Sequence, residues 1–148
     1  MNHSIQAAEL FLQGYNCAQA IAVAFSDITG LDPAFSAKMS SSFGGGMGRM
    51  REVCGAVSGM LMVAGLLYGY DGPDEGENKT NHYALVQELA NQFRSEVGSI
   101  VCREILKNPP SDPNPSPRTE EYYRTRPCAH MVVVAARILD RYIAEHPL

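Results

Sequence analysis

Four cysteines are the residues of this sequence best suited to chemistry, because each lies at or near the start of a predicted helix. They are Cys17 after Asn16, Cys54 at the head of an uncharged run, Cys102 after Ser99, and Cys128 after Pro127. Unpaired backbone N–H groups and the helix dipole place partial positive charge at a helix N-terminus, which favours the thiolate over the thiol. The thiolate is the form that attacks disulfides and binds soft metals. The sequence therefore predicts a reactive-thiol or a metal-binding protein.

Arginines lie close in sequence to three of the four cysteines. Five of the 12 Lys and Arg residues do so, namely Arg49 and Arg51 before Cys54, Arg103 after Cys102, and Arg124 and Arg126 before Cys128. A neighbouring cation lowers the pKa of a thiol. In a dithiol mechanism we expect Cys54 to attack a disulfide and Cys17 to resolve the mixed disulfide that results.

The long intervals between the cysteines decide which metal sites the chain can form. The sequence has no C-x-x-C pair for a zinc knuckle and no C-x-x-C-H for a c-type haem. A shared site must therefore be assembled by tertiary packing, which can bring Cys17 to Cys54 and Cys102 to Cys128. Such a site offers four thiolates, with His130 as a further candidate ligand. It would suit zinc or an iron–sulfur cluster.

Three consecutive glycines, Gly44, Gly45 and Gly46, precede Cys54. Their backbone N–H groups can form a nest for an anionic cofactor group, to which Arg49 would add charge. The P-loop pattern, which ends in Gly-Lys-Ser/Thr, is absent. The simpler interpretation is a turn that lets a helix start approach its neighbour closely. The anion site is the alternative.

Glycines, prolines and capping residues predict an all-α chain. The predicted helices span 4–13, 16–29, 32–42, 53–68, 81–97, 99–106 and 127–144, with an extended proline-rich loop over 109–117. No segment shows the sustained alternation of a half-exposed strand. We therefore expect residues 1–148 to form a single domain, a bundle of about six or seven helices around the buried helix 53–68.

Composition and charge narrow the classes of function. A net charge of -4 and a pI near 5.5 argue against a nucleic-acid surface, which needs clustered positive charge. The N-terminal residues lack the features of a signal peptide, so we expect a cytoplasmic protein. The 18 uncharged residues from Val53 to Tyr70 just reach the length of a membrane span and include a Gly55-x-x-x-Gly59 pair. Their four glycines favour a buried helix of a soluble bundle instead.

The order of the cysteine motifs carries a resemblance. One cysteine lies in GYNCAQA, the next in CGAVSG behind FGGGMGR, and two single cysteines follow at 102 and 128. Over nearly its whole length the chain resembles the redox-active protein family named for its C_GCAxxG_C_C cysteine pattern. The family name puts glycine before the motif cysteine, where this chain has Val53.

The resemblance singles out Cys17, Cys54, Cys102 and Cys128, and three residues complete the motif: Gly55, Ala56 and Gly59. It implies redox activity without naming a substrate, and we expect a redox partner protein or a small thiol to exchange electrons with the chain. Members are described as encoded beside transporter genes, so a non-catalytic partner of a membrane transporter is a third class of function. We expect the chain to fold alone or as a small oligomer such as a homodimer.

Overall fold

A computed structural model describes residues 2–73 and 76–148, and these residues form nine helices and no strand. The helices are α1 (His3–Leu12), α2 (Cys17–Ala24), α3 (Ser26–Thr29), α4 (Pro33–Ser40), α5 (Gly55–Tyr68), α6 (Glu77–Val97), α7 (Cys102–Leu106), α8 (Glu120–Thr125) and α9 (Cys128–Glu145). A 3₁₀ turn (Ser41–Phe43) follows α4. The all-α prediction is confirmed.

Side-chain caps explain where the first helices begin. The Asn16 side chain accepts a 2.9 Å hydrogen bond from the Gln19 N–H, and the Gln19 side chain accepts one of 3.1 Å from the Asn16 N–H. This reciprocal capping box fixes the first residue of α2. Asp32 caps α4 as predicted. Helix α1 begins one residue before Ser4, because Asn2 rather than Ser4 is its cap.

Several other predicted boundaries differ from the structure; the helix predicted to start at Ser99 begins at Cys102, with Val101 as its N-cap residue. The segment predicted as one helix over 16–29 is divided into α2 and the single turn α3, with buried Phe25 between them and Gly30 ending α3 at a left-handed φ of 77°. Helix α6 begins at Glu77 rather than at 81. Helix α8 was not predicted, since Thr119, which caps it, follows a proline-rich stretch that indicates a loop.

Helix α5 packs closely on α2 through a glycine. A Cβ atom added to Gly59 would lie 2.8 Å from the Ala18 carbonyl oxygen and 2.9 Å from the Ile21 Cβ. The G-x-x-x-G pair therefore serves helix packing within the buried core, around residues such as Val57 and Met60. Within 2–73 and 76–148, no helix has both the length and the apolar character that a membrane crossing requires.

A buried histidine joins the first helix to the last. His3 is 1% exposed, and its Nδ1 lies 2.6 Å from the Asp140 Oδ1 on α9, while its Nε2 lies 2.9 Å from the Asp27 Oδ1 on α3. Its ring stacks on Phe25 at 4.1 Å. These contacts fix the position of α9, the helix that begins with Cys128.

Candidate thiol site

The four cysteines line one cavity of about 280 Å³. Cys17, Cys102 and Cys128 are the first residues of α2, α7 and α9, and Cys54 immediately precedes α5. All four are free thiols; Cys17, Cys54 and Cys102 are buried, and Cys128 is partly exposed. The predicted placement of the cysteines at helix starts is therefore confirmed, and the folded chain brings all four together.

Two glycines let the helix starts approach one another. A Cβ atom added to Gly55 would lie 3.1 Å from the Cys17 Cβ, and one added to Gly46 would lie 2.8 Å from the Cys102 Cβ. Gly46 also has a φ of 69°, a conformation that side-chain-bearing residues rarely adopt. The glycines before Cys54 thus form the close turn that the sequence favoured, and they line the cavity.

A short antiparallel contact joins the segments that carry Cys54 and Cys102. Val53 and Val101 form an isolated β-bridge. On either side of it the Cys54 N–H donates to the Ile100 carbonyl at 2.7 Å, and the Cys102 N–H donates to the Glu52 carbonyl at 2.6 Å. Two thiols that are far apart in sequence therefore lie on paired backbone segments.

Cys128 is the thiol whose surroundings favour the thiolate. A hydrogen bond from Cys17 lowers the pKa of Cys128 from 9.0 to about 7, with help from the charges of Arg126, Arg118 and Arg51, although burial opposes the shift. The same hydrogen bond, followed by burial, raises the pKa of Cys17 well above its ordinary value. The two thiols therefore titrate as a pair, and the pair loses its first proton more readily than an isolated thiol does.

Cys54 and Cys102 are held as neutral thiols. Burial raises the pKa of Cys54 to about 12, despite hydrogen bonds from the Ala56 and Val57 N–H groups. Burial also raises the pKa of Cys102, and its hydrogen bond and charge interaction with Arg51 offset only part of that rise. The expectation that Cys54 is the attacking thiolate thus finds no support in its environment, because desolvation outweighs the helix start.

The two arginines that precede Cys54 in the sequence contact other residues in the structure. Arg51 Nη1 lies 3.7 Å from the Cys102 Sγ rather than against Cys54. Arg49 donates from Nε to the Asp112 carbonyl at 2.8 Å and from Nη1 to the Ser116 hydroxyl at 3.0 Å. Proximity along the chain therefore did not identify the thiol that these guanidinium groups affect.

Arg118 is a site residue that the sequence did not reveal. It directly follows the proline-rich loop 109–117, and its Nη1 and Nη2 donate to the Phe11 carbonyl at 2.9 Å and the Tyr15 carbonyl at 3.0 Å. The guanidinium also lies 4.4 Å from the Phe11 ring centroid and 5.1 Å from that of Tyr122. These contacts hold the loop over the cavity and a positive charge near Cys128.

The predicted metal ligands do not form a coordinating group. Over 2–73 and 76–148, no three His, Cys, Asp or Glu side chains are placed to hold a metal ion together. His130 is exposed and does not line the cavity. Gly44, Gly45, Gly46 and Arg49 do line it, in the place where the sequence predicted an alternative anion site.

Comparison with known protein families identifies the chain. Residues 15–142 match the family model described as "Putative redox-active protein (C_GCAxxG_C_C)". The chain belongs to this family. Neither the curated proteins nor the solved structures that were searched gave a significant match. The family supports redox activity and the importance of the cysteines, and the geometry above is what distinguishes one cysteine from another.

The glycine and alanine motif of the C_GCAxxG_C_C family has a packing role in this member. Gly55 lies against Cys17, Ala56 is fully buried, and Gly59 lies against the Ala18 backbone. Small residues at these positions bring the start of α5 close to the start of α2. The motif therefore builds the cavity that contains the four cysteines.

Replacing Arg126 by Gln is expected to raise the pKa of Cys128, because Arg126 is the largest of the charges that lower it. If the pKa of Cys128 rises by about 0.5 to 1, its alkylation near pH 7 should slow about two- to fivefold, and its alkylation rate at high pH should not change. The measurement is the pH–rate profile with iodoacetamide. Arg126→Lys, which keeps the charge, should retain the low midpoint, and Arg124→Gln is the matched surface control. An unchanged profile in Arg126→Gln would contradict this assignment.

With its four thiols reduced, the protein should have a free energy of unfolding that depends on pH in two opposite ways. The lowered pKa of Cys128 stabilises the fold above the unfolded value near 9, and this contribution is lost as the pH falls through 7. The raised pKa values of Cys17, Cys54 and Cys102 stabilise the fold below about 9, and that contribution is lost at higher pH. The free energy of unfolding should rise by about 1 kcal/mol from roughly pH 6 to 8 and fall above about pH 9.

Urea unfolding under reductant, repeated across this pH range, measures the effect. Cys128→Ser should remove most of the rise at neutral pH and keep the decline at alkaline pH. A rise of the same size in Cys128→Ser would show that other groups cause it.

Proposed function

We propose that this protein exchanges electrons with disulfides through Cys17 and Cys128. The observation that carries the proposal is that Cys17 and Cys128, the first residues of α2 and α9, line one cavity together with arginines, where the interaction of the two thiols lowers the pKa of Cys128 and raises that of Cys17. A low-pKa thiolate with an adjacent thiol is the arrangement that thiol–disulfide exchange requires.

The exchange takes place in two balanced steps. The Cys128 thiolate attacks one sulfur of a substrate disulfide, forms a mixed disulfide, and releases the other substrate sulfur as a thiolate. Cys17 then gives up its proton to that thiolate or to water and attacks the Cys128 Sγ. This forms a Cys17–Cys128 disulfide and releases the second substrate thiolate. The substrate gains two electrons, and the protein loses two.

Cys54 and Cys102 remain reduced during this exchange, because burial keeps both protonated near neutral pH. The β-bridge between their segments holds them as a second pair in the same cavity. Their arrangement supports a second dithiol that stays reduced and does not attack the substrate. The protein would work in the cytoplasm, where a partner protein or a small thiol reduces the Cys17–Cys128 disulfide again.

Two variants of Cys17 separate its two roles. Cys17→Ser keeps a hydrogen-bond donor but has no sulfur, so Cys128 should still react with hydroxyethyl disulfide and then remain in the mixed disulfide. Cys17→Ala removes the donor as well, so the first step should also slow. Mass spectrometry of the intact protein counts the trapped adduct, and peptide mapping of the oxidised wild type should find a Cys17–Cys128 bond.

Other outcomes would contradict the proposal. An oxidised wild type linked only through Cys54 and Cys102 would overturn the assignment of the pair. A stoichiometric metal or a visible chromophore after anaerobic purification, lost on alkylation, would favour a zinc or iron–sulfur protein instead.

A further inference from the structure

The cavity that holds the thiols is strongly positive in a protein whose net charge is -4. Arg49, Arg51, Arg118 and Arg126 line it, and no described Asp or Glu does. Among the ion pairs of the described residues, these arginines take part in one, between Arg49 and Asp112 at 3.7 Å. The three arginines without an ion pair carry more positive charge than one cysteine thiolate can neutralise. The cavity is therefore suited to an anionic ligand.

Arg51 has a donor group that the described residues leave without a partner. Its side chain is 4% exposed. Its Nε donates to the Pro110 carbonyl at 2.9 Å, and its Nη1 lies 3.7 Å from the Cys102 Sγ. Its Nη2 is buried and has no hydrogen-bond acceptor within 2–73 and 76–148. An unsatisfied buried donor on a charged group is costly, so this nitrogen is a strong candidate for binding a ligand.

Two of the other arginines are already engaged in holding the loop over the cavity. Arg49 binds the Asp112 carbonyl and the Ser116 hydroxyl. Arg118 binds the carbonyls of Phe11 and Tyr15. Arg126 is partly exposed, so water can satisfy its N–H groups, whereas the unpaired Nη2 of Arg51 is buried. Arg51 is therefore the arginine that gains most from a carboxylate, which accepts hydrogen bonds on two oxygens.

The size of the cavity and its apolar walls limit the ligand further. A volume of about 280 Å³ lies at the lower end of small-molecule sites. Apolar side chains complete the lining, among them Phe11, Ile105, Leu106 and Met131. Such a cavity fits a short molecule with an apolar chain and an anionic end.

We propose that the substrate is a small disulfide carrying a carboxylate, which Arg51 binds while Cys128 attacks the disulfide. This inference rests on the proposed function and names the substrate class of the same site. The Cys128 thiolate displaces one half of the substrate as a carboxylate-bearing thiolate, and Cys17 then displaces the other half. The reduced protein is the electron donor, so the reaction needs no further reagent.

The test compares three short disulfides that differ in charge: dithiodipropionate is anionic, hydroxyethyl disulfide is neutral, and cystamine is cationic. Stopped-flow measurements give the rate at which each oxidises the reduced protein, and each rate is divided by the rate with free mercaptoethanol. We expect the normalised rate to be highest for dithiodipropionate and lowest for cystamine. The ratio of anionic to neutral rates does not depend on how much Cys128 is ionised, because both substrates meet the same thiolate.

Arg51→Met should lower this ratio by at least about fivefold, the effect expected from losing one charged hydrogen bond. Arg103→Met is the matched control, since Arg103 is exposed and paired with Glu52 outside the cavity, and its ratio should match the wild type. A wild-type ratio of one or below, or an equal loss in Arg103→Met, would overturn the proposal.

A measurement without variants separates failure of this inference from failure of the proposed function. Thiodipropionate carries the same carboxylates but has no disulfide, and we expect calorimetry to detect its binding to the wild-type protein. Absence of binding would overturn the carboxylate site even if hydroxyethyl disulfide oxidises the protein. Binding without oxidation by any of the three disulfides would preserve the anion site and refute the dithiol function, and with it this substrate.

Discussion

Cys128→Ser should lower the alkylation rate of the reduced protein near pH 7 by at least about tenfold. With a pKa of about 7 rather than 9.0, Cys128 is about half ionised, whereas an ordinary thiol is about one per cent ionised. A thiolate whose pKa is lower by about two is also roughly tenfold less nucleophilic. The gain in ionised fraction, roughly fiftyfold, therefore leaves Cys128 about fivefold more reactive than an exposed thiol of ordinary pKa. Burial of the other three thiols adds to the difference.

The matched control is Cys102→Ser, which removes a buried thiol from the same cavity. Its alkylation rate near neutral pH should stay within about twofold of the wild type, because a neutral thiol contributes little to the observed rate. Iodoacetamide consumption under anaerobic conditions measures both variants. Equal losses in the two variants would mean that the reactivity is shared and that the Cys17–Cys128 hydrogen bond does not select one thiol.

Gly59→Ala should destabilise the protein by about 2 kcal/mol and disturb the thiol site. The new methyl group would lie 2.8 Å from the Ala18 carbonyl oxygen and 2.9 Å from the Ile21 Cβ. Backbone and core atoms cannot move aside locally, so α2 must shift relative to α5, which typically costs 1–3 kcal/mol. Because Cys17 begins α2, the midpoint of Cys128 alkylation should also rise.

Gly65→Ala provides the control within the same helix. Apart from the backbone of its own helix and its chain neighbours, no atom lies within 4 Å of the position that its Cβ would occupy, so the change should stabilise the protein by about 1 kcal/mol through helix propensity alone. Chemical denaturation of both variants gives the comparison. Similar effects of the two substitutions would contradict the close packing of α5 on α2.

Local chemistry made the helical framework predictable from the sequence. The Asn16 and Gln19 side chains and the Asp32 cap act within a few residues, so they fix helix starts whatever the rest of the chain does. The same logic placed Cys17 at a helix start, behind Asn16, whereas Cys54, Cys102 and Cys128 lie at helix starts that have no side-chain cap. It also identified Gly55 and Gly59 as positions where a small residue permits close packing.

The selection of one thiol was not predictable, because it depends on contacts across the fold. Arg51 follows the glycine turn and comes to lie against Cys102 through the Val53–Val101 bridge rather than against Cys54. Arg118 is ten residues from Cys128 in the chain, within a proline-rich stretch that has no periodic pattern. The partner of Cys128 is Cys17, which lies at the other end of the sequence and has no charged neighbour there.

The clearest test of Cys128 as the attacking thiolate is to find which cysteine reacts first. The reduced native protein is treated near pH 7 with less iodoacetamide than protein, and peptide mass spectrometry locates the label at a series of pH values. We predict that the label lies on Cys128, that its labelling rate has a midpoint near pH 7, and that Cys17 is labelled later. Preferential labelling of Cys54 or Cys102, or a Cys128 midpoint near pH 9, would contradict this prediction.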